Sequence, residues 1–173
     1  MPYPLTTQIR TILLALGAAY TGFGLLMRGF IELQRLMMRT VEAPQDELLD
    51  TFRGIQDVLA TYGIYLALLG LGYLALGLLY RSRPQVIPVG LGVLTVAGLV
   101  LGIAYVRESL VFANDIFASF PEEVDFPMMS SLQSANAVYG YGSIVFYLLV
   151  PQAVLAYKLW QLRKQPEDLS AAR

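Results

Sequence analysis

The sequence predicts an all-α fold: a four-span transmembrane helical bundle, up-down-up-down, whose helices extend beyond the membrane on the non-cytoplasmic side. Three observations carry this expectation. Of 173 residues, 56% are hydrophobic and only 14% charged, about half the ~25% charge of ordinary soluble domains. The charges leave four apolar stretches of roughly the ~20 residues that cross ~30 Å of hydrocarbon as a helix. Backbone groups in lipid must find partners within their own segment, which selects helices over open strands.

The first span, expected over residues 11–31, is built on Thr11–Met27, 17 uncharged residues between Arg10 and Arg28. A cleaved signal peptide is the competing reading. Its apolar core would exceed the usual ~7–15 residues, and the nearest small-residue site, Val41-Glu42-Ala43, is followed by Pro44. The helix continues outward, since Ile31, Leu33, Leu36 and Met37 interleave with Arg28, Glu32, Arg35 and Arg39. An external connection, 36–57, then restarts a helix. Pro44-Gln45-Asp46-Glu47 supplies the proline and acids that favour a helix start, and Leu48, Leu49, Phe52, Ile55, Val58 and Leu59 recur at helical spacing.

The second span, 58–80, has 23 uncharged residues between Asp57 and Arg81. The short turn Arg81-Ser82-Arg83-Pro84 makes it an antiparallel neighbour of the third span, 86–106. A second external connection, 107–136, carries an apolar face of Leu110, Val111, Phe112, Ile116, Phe117 and Phe120 beside Glu108, Asn114 and Asp115. This face either packs on the first hairpin or lies flat in the interface. Interfacial helices are usually rich in Lys and Arg, and this one is acidic, so packing is expected. Pro121 and Pro127 bracket Glu122-Glu123-Val124-Asp125, which lacks the ligand spacing of a calcium loop and reads as a solvated turn. A helix restarts near Met128. The fourth span, 137–160, contains Pro151, a candidate kink. Residues 1–165 form a single domain, and 166–173 a short cytoplasmic tail.

Charge asymmetry sets the orientation. The side holding both termini carries seven Lys and Arg (Arg10, Arg81, Arg83, Lys158, Arg163, Lys164 and Arg173) against Glu167 and Asp168. The opposite side carries Arg39, Arg53 and Arg107 against ten carboxylates. The positive-inside rule therefore places both termini in the cytoplasm, and the absence of cysteine from the external loops suits a bacterial inner membrane.

Composition also excludes chemistry. The chain has no histidine and no cysteine, so imidazole-ligated haem, His–Cys zinc sites, His-dependent triads and thiol chemistry are ruled out. No phosphate-binding loop or dinucleotide fingerprint occurs, and balanced charge gives nucleic acid no basic face. No catalytic, cofactor-binding or metal-binding residue is assigned, and no cofactor is expected.

Three candidate groups remain. Arg28, Glu32 and Arg35 share one helix face at the outer interface; they suit either an anionic headgroup or ligand, or a simple intrahelical ion pair. Gly63, Ala67, Gly70 and Gly77 on the second span, the Gly98–Gly102 pair on the third, and Ala18 with Gly22 on the first are small-residue stripes. These serve an oligomer interface or packing within one bundle. Tyr20, Tyr73 and Tyr147 lie inside spans, and Tyr62, Tyr80, Tyr105, Tyr139 and Tyr157 nearer the interfaces. Buried tyrosines need hydrogen-bond partners, for which Thr21, Thr95, Ser143 and Gln152 are available. The same residues suit a pocket for a quinone, lipid or other apolar molecule. No Asp, Glu or Lys occupies the centre of a span, against a proton- or ion-coupled transporter.

The expected role is a non-catalytic structural, accessory or scaffold subunit of a membrane assembly, with the lipid bilayer and other membrane subunits or further copies as partners. The alternatives are a homo-oligomeric carrier, channel or lipid-binding protein, and lastly a cofactor-free membrane enzyme.

Overall fold

In the computed structural model, residues 5–39, 47–118, 137–138 and 140–164 are described; among them every long element is a helix and no strand occurs. Helix α1 is Leu5–Arg39, α2 is Glu47–Leu79 and α3 is Ile87–Ala118. A single 3-10 turn, Pro84–Val86, leads into α3. Helix α4 provides the span Gly140–Leu162. It passes through a π-helical segment, Val145–Leu149, and resumes as α-helix over Val150–Lys164. The acidic turn Glu122–Asp125, the restart near Met128, the Pro44 helix start and the C-terminal tail lie outside the described residues.

Four helices are long and apolar enough to cross a membrane, covering Leu5–Met37, Arg53–Leu79, Pro84–Phe112 and Gly140–Leu162. Their outward faces are apolar: Leu26 is 73% exposed, Phe146 71% and Val89 69%. An apolar surface on all four helices is what a lipid solvent accepts and water does not. The chain is an integral membrane protein.

The most extensive helix pair is α1 with α2, followed by α2 with α3. Helix α4 touches both α1 and α3. Along α1 and α2 the contacts run in opposite chain directions: Leu14 meets Gly77, Gly17 meets Gly70 and Leu74, and Gly24 meets Gly63 and Ala67. Small residues explain this closeness, because a Cβ on Gly63 would stand 2.9 Å from the Gly24 carbonyl oxygen. Backbone lies against backbone with no room for a side chain.

On α1 the packed positions are Gly17 and Gly24. Ala18 and Gly22, the small pair anticipated from spacing, are exposed, and Gly22 has nothing within 4 Å of its would-be Cβ. Seven residues separate Gly17 from Gly24, two helical turns, whereas Ala18 and Gly22 are rotated toward lipid. On α3, Gly98 and Gly102 receive side chains rather than backbone: Leu148 and Ile144 of α4 fill the space beside them. Gly77 likewise receives Leu14.

Helix α3 continues unbroken to Ala118, so residues 111–118 extend the third helix in line rather than turning aside into the interface. The Phe112 ring lies 2.9 Å from where a Cβ of Gly54 would stand, which docks this extension on α2.

The best-packed core is Ile9 and Leu13 of α1, Leu69, Tyr73, Leu76 and Tyr80 of α2, Ile87 and Leu91 of α3, and Leu148 and Leu155 of α4. Most of it gathers toward the end that carries the Arg81–Pro84 turn. At that end Lys158 donates to the Gln8 side chain at 2.7 Å, tying α4 to α1.

Candidate functional site

Farther along the helices, away from that turn, the centre is not filled. A cavity of about 670 Å³ lies there, walled by all four helices. Ala19, Gly98, Gly102 and Ser143, with small side chains or none, stand along its wall. Five tyrosines line it: Tyr20, Tyr62, Tyr65, Tyr105 and Tyr147. The remaining wall is mainly aliphatic, with Phe23 and Met27 from α1 and Leu66 and Leu69 from α2. Phe23, Tyr65 and Tyr147 are exposed, so the cavity opens at the surface of the helices.

On the α4 wall of the cavity, two backbone carbonyls accept side-chain hydroxyls. Pro151 has no N–H, so the carbonyl four residues earlier, that of Tyr147, loses its helical donor. The π-helical segment just ahead of the proline accommodates the ring. The Tyr147 carbonyl, which has no amide four residues on, accepts the hydroxyl of Tyr20 from α1. The Tyr20 ring meets Tyr73 edge to face, with centroids 5.6 Å apart. Ser143 turns back to donate to the Gly140 carbonyl at 2.6 Å.

None of the hydroxyls anticipated as tyrosine partners plays that part. Thr95 donates within its own helix to the Leu91 carbonyl at 2.7 Å. Thr21 reaches the Ala67 carbonyl at 3.4 Å. The Tyr73 hydroxyl and the Gln152 Oε1 are buried without a hydrogen-bond partner among the described residues.

The outer end of the cavity holds three tyrosines, two of them packed against the third. Tyr62 stands 5.1 Å from Tyr105 and 5.9 Å from Tyr65, centroid to centroid, both edge to face. The Tyr62 hydroxyl interacts with the carboxylate of Glu108, one turn beyond Tyr105 on α3.

Comparison with known protein families, curated proteins and solved structures returns no match to this chain. The reading of the site therefore rests on its own geometry.

The remaining sequence candidates lie around this cavity rather than in it. Arg28 pairs with Glu32 at 2.6 Å, Arg35 pairs with Glu32 at 3.1 Å, and Arg35 also binds Asp57 of α2. Two guanidinium groups here face two carboxylates. Asp57, not anticipated in this cluster, makes it a tie between α1 and α2, reinforced by Gln56 and Gln34 at 3.5 Å. Such an exposed network contributes at most about 1 kcal/mol. Of the packing glycines, Gly63, Gly70 and Gly77 face α1, while Gly98 and Gly102 face α4 and border the cavity. Pro151 lies beyond the cavity, acting on it through the Tyr147 carbonyl.

Proposed function

We propose that this protein is a non-catalytic integral membrane protein that binds one apolar or amphipathic molecule between its four helices. The observation that carries the reading is the aromatic cavity of about 670 Å³, within the ~300–1,000 Å³ typical of small-molecule sites. Among the described residues, its wall contains no Asp, Glu, Lys or Arg. It offers no acid–base pair or nucleophile poised for chemistry, and its apolar lining suits a chain or ring system drawn from the bilayer.

The proposal includes an up-down-up-down bundle in a bacterial inner membrane with both termini in the cytoplasm. It is supported by the antiparallel contacts along α1 and α2 and by seven Lys and Arg on the terminal side against three on the other. A cysteine placed at Ser82 of this cysteine-free chain is expected to react with an impermeant maleimide only from the cytoplasmic face of sealed vesicles. Labelling from the outer face reverses the topology.

The binding reading is tested by photolabelling. A dodecanol carrying a mid-chain diazirine is expected to label peptides of the cavity wall. Ala19→Trp, which places an indole in the void from an exposed position on α1, is expected to cut that labelling at least about tenfold. Unchanged labelling, or labelling spread evenly over all lipid-facing peptides, overturns the reading.

A second reading, an accessory subunit of a larger assembly, is favoured by the outer part of α1. There Leu33, Leu36 and Met37 are more than half exposed beside Glu32 and Arg35, a mixed surface suited to another protein.

A further inference from the structure

We infer that the cavity selects amphipathic cations: molecules with an apolar tail and a quaternary or alkylated ammonium head. This inference rests on the binding reading above and adds the ligand's polarity, direction and charge.

Direction follows from which polar groups are already used. At the inner end, the Tyr20 hydroxyl is committed to the Tyr147 carbonyl. A polar head placed there would lose its hydration without compensation. An alkyl chain fits instead, against Leu69, Leu148 and Phe23. The head must then lie at the outer end, among Tyr62, Tyr65 and Tyr105.

Charge follows from what surrounds that end. The Tyr62–Tyr65 and Tyr62–Tyr105 ring planes cross at 86° and 63°, so aromatic faces are presented in different directions around a shared space. Aromatic faces carry negative potential and attract alkylammonium groups, most strongly in cages of several rings. The ionisable group against this cluster is the Glu108 carboxylate at the Tyr62 hydroxyl. The neighbouring cations are turned away or occupied. Arg107 lies nine residues beyond Gly98, about two and a half turns, on the opposite side of α3 from the cavity wall. Arg28 follows Met27 but is held by Glu32 at 2.6 Å. An anionic head would meet a carboxylate and the negative faces of the rings, and is disfavoured.

Two sources supply this chemistry: the choline head of a phospholipid, and a free lipophilic cation. Isothermal titration of the full chain in maltoside micelles separates them. Dodecyltrimethylammonium is expected to bind at least about tenfold more tightly than dodecanol, which has the same chain without the charge. Glu108→Gln, an exposed position that leaves packing untouched, and Tyr105→Leu are each expected to lose about tenfold for the ammonium probe alone. Tyr105→Phe, which keeps the ring face, is expected to retain binding.

Preference for diheptanoylphosphatidylcholine over diheptanoylphosphatidylglycerol by the same margin supports a lipid source. Binding of the ammonium amphiphile with no preference between these lipids supports a free cation. If dodecanol binds as tightly as dodecyltrimethylammonium and Glu108→Gln changes nothing, charge selection is overturned while the apolar cavity stands. If neither probe binds the wild type, both fail.

Discussion

Gly24→Leu is expected to be the most damaging single substitution among those proposed, lowering stability by about 3 kcal/mol or more, while Gly22→Leu two positions earlier is neutral. A Cβ on Gly24 would lie 2.6 Å from the Ala67 amide nitrogen and also collide with the Gly63 carbonyl oxygen. Overpacking in a well-ordered core typically costs ~1–3 kcal/mol, when side chains give way. Here the obstacles are backbone atoms of α2 that cannot rotate aside, so the whole helix must move. The Cβ of a residue at position 22 would meet nothing within 4 Å, and leucine is well received by lipid. Equilibrium unfolding in mixed micelles measures the contrast. Equal destabilisation by the two variants would mean that α1 and α2 do not meet along this line.

The second large effect concerns the Pro151 carbonyl defect. Tyr20→Phe removes the hydroxyl that donates to the Tyr147 carbonyl. Interhelical hydrogen bonds in membranes average only ~0.6 kcal/mol and reach ~1.7, because the broken partner usually finds another. The Tyr147 carbonyl has no α-helical amide to fall back on, since the residue four positions on is a proline. The expected cost is therefore near the top of that range, about 1.5 kcal/mol. Pro151→Ala supplies the missing N–H and allows the π-segment to return to regular α-helix. In that background Tyr20→Phe is expected to cost less than about 0.5 kcal/mol, and the difference is the coupling energy. An equal cost in both backgrounds would show that Tyr20 acts through its ring contact with Tyr73, 5.6 Å away, and not through the carbonyl.

These two cases also show what a sequence discloses. The four spans are legible because charges bound them: Arg10 and Arg28, Asp57 and Arg81, Arg83 and Arg107. The turn at Arg81–Pro84 is legible because a proline follows two charged residues. That small residues line the helix contacts is equally visible, yet their register is not. Ala18–Gly22 and Gly17–Gly24 both obey helical spacing, and only the partner helix decides between them. The outer part of α3 presents the same difficulty. Its acidic amphipathic pattern suits a separate helix as well as the continuous one observed, and the Phe112–Gly54 contact that docks it is a long-range pairing.

The sequence offers hydroxyls and amides as partners for Tyr20, whereas the partner is a backbone carbonyl. The signal was present in Tyr147 and Pro151, four residues apart, since a proline frees the carbonyl at that spacing. The cavity itself is the least legible feature. Its wall draws on all four helices, a combination that no single-helix pattern encodes. Similarly, Asp57 joins Arg35 only because α2 packs antiparallel to α1, a pairing that no local pattern encodes.

The central claim is that the space among the four helices is a binding site. Native mass spectrometry of the wild-type protein, released from its own membrane in mild detergent, tests it most directly. The account predicts a chain retaining one amphipathic molecule, identifiable on dissociation, with that adduct missing from Ala19→Trp. Wild-type protein that emerges with no bound molecule, or that is bound to larger subunits with an adduct pattern Ala19→Trp does not change, would contradict it.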